Sequence, residues 1–192
     1  MICLIRHGET DWNFKGKLQG KTDIPLNETG KNQAVECKAF FTGSDWDLII
    51  SSPLSRAKQT AEIINEGLNL EIVEMPIFKE RSFGVAEGLT IEEIKDKYPD
   101  GNYPGKETKE SLKKRVMAGL EEINQKYPTK KVLLVAHGAV INSILNEISG
   151  GTLGTRKTKL MNACISHVQF LEEGWKIHNY NQVNHLTKYN DI

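Results

Sequence analysis

Leu4-Ile5-Arg6-His7-Gly8 and Leu134-Val135-Ala136-His137-Gly138 are the two stretches on which the reading of the fold turns. Each closes a short unbroken apolar run, Ile2 to Ile5 and Val132 to Ala136, of the kind a strand buried on both faces requires. Each run stops at a histidine followed by glycine. A third run, Leu48-Ile49-Ile50, breaks off at Ser51-Ser52-Pro53. Strands this apolar belong to a sheet covered on both sides, so the segments between them have to supply the covering layers.

Those segments carry helical periodicity. Asn27 can cap a helix running to about Phe41, with Ala34, Cys37 and Phe41 on one face. Ser55 to Glu66 aligns Ala57, Ala61, Ile64 and Leu68, and a short strand at Ile72-Val73 follows. A short amphipathic helix is expected near Ile91 to Tyr98. Leu112, Val116, Leu120 and Ile123 mark a long helix ending before Pro128, and another runs from about Val140 to Ile148. Cys164 to Leu171 and Trp175 to Tyr180 read as two strands joined through Glu172-Glu173-Gly174, with Trp175 and the apolar hairpin residues in the core. The fold class is α/β: a three-layer sandwich with a mostly parallel central sheet flanked by helices, plus a terminal β-hairpin. No repeat or linker interrupts it, so residues 1–192 form a single domain. Arg6 to Leu26 is a long polar loop with room for one helical turn. The irregular stretch from Phe83 to Gly105 predicts a lid at 83–107.

Lys plus Arg and Asp plus Glu each total 25, so the net charge is zero, and with 39% hydrophobic residues a sizeable core is within reach. A basic excess for nucleic acid or a membrane surface is missing. Cys3, Cys37 and Cys164 show no CxxC spacing and read as reduced thiols. With neither a signal peptide pattern nor an apolar run of membrane length, the expectation is a soluble cytoplasmic protein.

In an open α/β sheet, ligands bind beyond the carboxyl ends of the strands. His7, His137 and, after the third strand, Arg56 therefore arrive at one edge, and Glu80 follows the fourth strand-like segment before Gly84. Arginines match phosphate oxygens with a planar fork of donors, and the helix start at Ser55 and Arg56 would favour an anion further. A neutral imidazole can attack phosphorus and a carboxylic acid can protonate a leaving oxygen. His167, His178 and His185 lack metal-ligand spacing. Lys15, Lys17 and Lys21 read either as steering an anionic substrate or as a solvated face, and Glu9, Asp11 and Glu28 as loop carboxylates.

At these residues the chain resembles the histidine phosphatase superfamily, the phosphoglycerate mutase-like family. Leu4 to Thr10 with Trp12-Asn13 matches its opening signature, continued by Leu18-Gln19-Gly20 and by Gly30 with Gln33-Ala34. Ser51 to Ala57 with Gln59-Thr60-Ala61, Glu80 with Gly84 and Glu87-Gly88, Val135 to Gly138, and Asn181 with His185-Leu186 supply the later blocks. The resemblance implies a phosphatase in which His7 takes the phosphoryl group. Arg6, Arg56 and His137 would hold its oxygens, Glu80 would act as acid and then base, and Asn13, Gln19, Gly20 and Gly138 would make accessory contacts. It implies no cofactor and no metal, and as partner a small phosphorylated metabolite; oligomeric state is open. Two departures are Ala136, where many relatives have serine, and Lys106-Glu107-Thr108 in place of Gly-Glu-Ser; Thr108 can still cap the next helix.

Two alternatives stand beside the phosphatase. A non-catalytic binding member is disfavoured because each catalytic position is filled. A phosphoglycerate mutase draws support from Glu80-Arg81. Mutases of the family, however, carry extra basic residues in this insertion, and between Phe83 and Thr108 only Lys95, Lys97 and Lys106 are cationic. Glu87-Gly88 also resembles the phosphatase form.

Overall fold

In the computed structural model, which describes residues 1–155 and 157–189, the apolar runs pair into one six-stranded sheet. Its strands are β1 (Ile2–Arg6), β2 (Leu48–Ser51), β3 (Ile72–Glu74), β4 (Val132–Ala136), β5 (Ile165–Leu171) and β6 (Gly174–Gln182), in the order β3-β2-β4-β1-β5-β6. The first four run parallel; β5 joins β1, and β6 joins β5, antiparallel. Arg156 and the last three positions of the 1–192 span lie outside the described residues.

The helices are α1 (Asp11–Phe14), α2 (Glu28–Phe41), α3 (Ser55–Asn65), α4 (Ile91–Lys97), α5 (Lys109–Lys126) and α6 (Gly138–Ile148). The two-residue alternation of the strands assigns them to layers. Ile2, Leu4, Leu48, Ile50, Val132 and Leu134 pack with Leu112, Val116 and Leu120 of α5 and Val140, Ile141 and Ile144 of α6. Cys3, Ile5, Ile49, Leu133 and Val135 pack with Cys37 and Phe41 of α2 and Ala57, Ala61 and Ile64 of α3 on the opposite face. This gives two helix layers with the sheet between them. Each fully buried aliphatic side chain contributes about 1.5–3 kcal/mol, so the central strands fix the registers on which the site depends.

Local capping places the helix starts. Asn27 Oδ1 accepts from Gly30 N at 2.8 Å, and Thr108 Oγ1 accepts from Ser111 N at 3.0 Å, so α5 begins one turn before the first apolar position that the periodicity marked. The helical turn in the Arg6 to Leu26 loop is α1, closed by a capping box between Thr10 and Asn13.

The hairpin departs from expectation at its tip. Phe170 and Leu171 are 43% and 40% exposed, while Trp175, half-buried, does pack against the core. The reason is position: β6 is the sheet edge, and its alternation runs between half-buried and exposed residues. Among the described residues, no helix is long and apolar enough to cross a membrane.

Candidate active site

β1 and β4 are adjacent and in register to their last residues, Arg6 against Ala136, so the histidines that follow emerge side by side. His7 N donates to Ala136 O at 3.0 Å, and the His7 and His137 ring centroids lie 5.2 Å apart, both rings buried. The close packing beneath depends on glycine. A Cβ on Gly8 would come within 2.4 Å of Gly30 O, and one on Gly30 within 2.0 Å of Glu9 O, so the loop after β1 lies directly on the first turn of α2.

Each ring is held by a different nitrogen. His7 Nδ1 lies 2.7 Å from Gly8 O, a carbonyl that can only accept, so Nδ1 carries the hydrogen and a neutral ring has its lone pair on Nε2. His137 Nε2 lies 2.7 Å from Ser52 Oγ. Ser52 Oγ also accepts from Leu54 N at 3.3 Å; with its hydroxyl proton on Nε2 the ring hydrogen sits on Nδ1, and that nitrogen is buried and has no hydrogen-bond partner. Burial holds both pKa values well below the ordinary 6.5. Arg56 and Arg6 lower both further; His7 and Arg115 also lower that of His137, while the Gly8 bond partly offsets the effect at His7. Both rings are neutral at pH 7.

The positive charge comes from the arginines. Arg56 is fully buried; its Nη1 and Nη2 donate to Thr22 O at 3.0 Å and Gly20 O at 2.8 Å, while Nε is buried without a hydrogen-bond partner. Burial lowers its pKa, and the carboxylates of Glu80 and Asp23 oppose that. Arg6 Nη1 donates to Leu160 O at 2.6 Å. At the start of α6, a Cβ on Gly138 would stand 3.5 Å from Arg6 Nε and 4.0 Å from Glu80 Oε2, which sets guanidinium, carboxylate and helix N-terminus around one point. Glu80 Oε2 accepts from Ala139 N at 3.1 Å and Oε1 from Arg81 N at 2.9 Å, and Arg115 Nη2 donates to Glu80 O at 3.2 Å.

The accessory positions join the same network. Gln19 Oε1 accepts from Thr10 Oγ1 at 3.0 Å, and Asn13 Oδ1 accepts from Thr10 N at 3.2 Å and from Asn162 Nδ2 at 3.1 Å. With both amide oxygens engaged, the NH2 ends are what each side chain has left to offer an anion. Gly20 enters through its carbonyl on Arg56, and Gly138 through the approach just described. His7, Arg6, Arg56, Glu80, His137, Asn13, Gln19, Gly20 and Gly138 are thus linked at one edge of the sheet.

One sequence expectation is corrected. The start of α3 does not face the site as an open anion position, because Asp23 already occupies it: Ser55 N and Oγ both donate to its carboxylate at 2.7 Å. The helix start beside the histidines is that of α6. Sequence reasoning placed Ser52 and Thr60 in a signature block without giving them a role, and missed Asn162. Ser52, at the same strand edge, was visible in the Ser51-Ser52-Pro53 break. Thr60 Oγ1 accepts from Gly8 N at 3.1 Å. Asn162 Nδ2, which donates to His7 O at 3.1 Å, sits in a loop before β5 with no signal in its surroundings. Glu9 is buried against Asn27 and Lys188, a structural carboxylate. His167, His178 and His185 bond to Asn179, Gln169 and Ala163 O, and no group of three potential ligands for a metal occurs among the described residues.

The sequence profile of the histidine phosphatase superfamily (branch 1) matches residues 2–183. The chain belongs to this superfamily. It is 56% identical over 186 residues to the uncharacterized phosphatase PhoE of Bacillus subtilis, covering 97% of this chain and 96% of that one. It is 33% identical over 202 residues to a probable phosphoglycerate mutase, GpmB, of Photorhabdus laumondii, covering 96% and 94%. Among solved structures, a phosphoserine phosphatase of Entamoeba histolytica in complex with phosphoserine superposes with a TM-score of 0.84 at 31% identity, over 96% of this chain and 98% of that one. By these kinships the chain is a phosphatase of the superfamily.

Proposed function

We propose that this chain hydrolyses a phosphomonoester of a small phosphorylated metabolite through a phosphohistidine on His7. The observation that carries the reading is the Nδ1 bond of His7 to Gly8 O, which leaves Nε2 of a neutral ring as the nucleophile among buried cationic groups. Nε2 attacks phosphorus, the bond to the leaving oxygen breaks, and Glu80 delivers a proton to that oxygen. Water then attacks the phosphohistidine, giving its proton to Glu80 as the phosphorus–nitrogen bond breaks. Arg6, Arg56 and His137 Nδ1–H, with the amide ends of Asn13 and Gln19, stabilise the charge on the transferring group; such stabilisation is the main protein contribution to phosphoryl transfer. These residues supply the charge without a metal.

Beyond Ala139 a cleft of about 270 Å³, lined by Arg81, Phe83, Asn142, Ser143 and Asn146, receives the leaving group. The chain acts as a single domain whose segment 83–107 serves as the lid. Phe83 bridges Lys106 at its base, and Thr90 bridges Lys17 of the loop after the nucleophile. The reduced, buried cysteines fit a cytoplasmic compartment.

The mutase reading keeps the support of Glu80-Arg81. Holding a bisphosphorylated intermediate needs cationic anchors; in the lid Lys95 and Lys97 are exposed on α4 and Lys106 is exposed over Tyr103, and of the cations lining the cleft, Arg81, Lys109 and Lys113, the last is paired with Glu110 and Glu147. Water is therefore expected to take the phosphohistidine. A panel of phosphorylated metabolites, including phosphoglycerate with and without its bisphosphate, scored for released phosphate and for positional isomer, tests this. Phosphate is expected to appear faster than isomer, and rapid isomer formation stimulated by bisphosphate, with little phosphate, would replace the hydrolase with the mutase. In the same panel Glu80→Gln is expected to slow alkyl phosphates about a hundredfold and aryl phosphates far less, because a good leaving group needs little protonation. An equal loss for both would remove Glu80 from the acid role.

A further inference from the structure

Glu87 lies in the lid segment, carries no role in the chemistry above, and accepts four hydrogen bonds through its carboxylate. Its Oε1 accepts from Lys21 N at 3.1 Å and Phe83 N at 3.0 Å; its Oε2 accepts from Thr22 N at 2.9 Å and Thr22 Oγ1 at 2.5 Å. Burial opposes its charge, but the Thr22 hydroxyl and the Phe83, Lys21 and Thr22 N–H groups outweigh that and hold its pKa below the ordinary value. The carboxylate lies against Gly20, where a Cβ would fall 2.1 Å from Oε1, and Gly20 is left-handed, at φ 56°. Gly88, next in sequence, donates to Leu18 O at 2.8 Å, so the lid side of this contact is anchored twice.

What Glu87 grips is the segment whose other side holds Arg56. The carbonyls of Gly20 and Thr22 accept the two Arg56 Nη donors, while the N–H groups of Lys21 and Thr22 point the opposite way, to Glu87. One strip of backbone, Gly20 to Thr22, is therefore clamped between a lid carboxylate and a buried guanidinium. Two charges of opposite sign orient the Gly20–Lys21 peptide group from opposite faces, each polarising it in the sense the other prefers, and the next two peptides are held one by each, through Thr22 N to Glu87 and Thr22 O to Arg56.

We propose that Glu87 is a positioning residue: by fixing the Gly20–Thr22 strip it sets the two carbonyls that aim Arg56 at the phosphoryl oxygens, and so couples lid placement to oxyanion binding. This rests on the role given to Arg56 above. Glu87 touches neither nucleophile nor acid, and it acts only through Arg56.

A double-mutant cycle on the Kd for inorganic phosphate, measured by calorimetric titration so that turnover is not required, tests the coupling. In the Arg56 background, Glu87→Gln puts an amide NH2 against two donors and is expected to weaken phosphate about tenfold; in Arg56→Ala the same change is expected to alter Kd less than about twofold. Thr22→Val, which removes one of the four bonds and keeps the carboxylate, enters the same cycle with about a threefold loss and serves if Glu87→Gln does not fold. Equal losses in the two backgrounds, or no loss beside intact Arg56, would overturn the positioning role while leaving the reaction untouched. A Kd unchanged by Arg56→Ala alone would overturn both the coupling and the oxyanion role of Arg56.

Discussion

β1 and β4 end on the same dipeptide, at the same level of the same sheet, yet their imidazoles present opposite nitrogens to the space between them. At His7 the partner is a backbone carbonyl on Nδ1, which leaves Nε2 with a lone pair. At His137 the partner is the Ser52 hydroxyl on Nε2, so with that hydroxyl donating the hydrogen sits on Nδ1. The strands deliver two equal rings, and one hydrogen bond apiece leaves the first a lone pair, as the proposed nucleophile needs, and the second a hydrogen to offer. The residues surrounding a motif therefore divide the labour that the motif alone leaves undivided.

The largest expected effect breaks the pair directly. His7→Ala should abolish turnover and the alkali-stable, acid-labile phosphoenzyme that wild type forms on mixing with substrate and quenching. His137→Ala should still form that adduct, slowed about 10²–10³-fold by loss of one donor to the transferring oxygens. Mass spectrometry of the quenched protein distinguishes the rings. Phosphate carried on His137 in wild type, or near wild-type turnover by folded His7→Ala, would reverse or erase the assignment.

A smaller effect targets the bond that makes His137 a donor. Ser52→Ala leaves the ring in place but removes the proton that fixes its tautomer, so kcat/KM should fall about tenfold while the adduct still forms on His7. Nitrogen-15 chemical shifts of the labelled imidazoles provide the direct readout, with His137 moving toward the Nε2–H form and His7 unchanged. A His137 tautomer that ignores the substitution would show that Ser52 accepts from the ring and does not donate to it.

Much of this was legible in the chain. The apolar runs ending in His-Gly, with helical periodicity between them, are enough to order strands and helices, because burial on both faces leaves a distinctive pattern. Parallel neighbours were expected, but not that β4 inserts between β1 and β2, which brings the two histidines together; that depends on which crossover packs best, a property of the assembled layers. Charge types at strand ends named Arg6, Arg56 and Glu80. Ser52, Thr60 and Asp23, though part of the family resemblance, were given no role, and Asn162 was missed, because their work is to bond backbone or ring atoms across long sequence separations, which leaves no periodic signature. Asp23 shows the cost: without it, the start of α3 looked like a place for phosphate.

The smallest effect sharpens the comparison through stability. Both histidines have folded pKa values well below 6.5, so between that value and the folded one the unfolded chain binds more protons than the native protein. Stability should therefore fall as pH drops below about 6.5, by up to about 1.4 kcal/mol per pH unit for each ring, and should be insensitive to these groups above it. His185, lowered by burial, adds the same sign and is common to every variant tested. The depressed carboxylates of Glu87 and Glu107 lose their contribution only below the ordinary 4.5, whereas the N-terminal amine, lowered from 8.0 first by burial, acts in the same window with the same sign, so urea unfolding between pH 7.5 and 5.5 reads the histidines as differences between variants. Replacing either His7 or His137 with alanine should therefore flatten the pH dependence over this window. An unchanged slope in both variants would show that neither ring is held neutral by the fold.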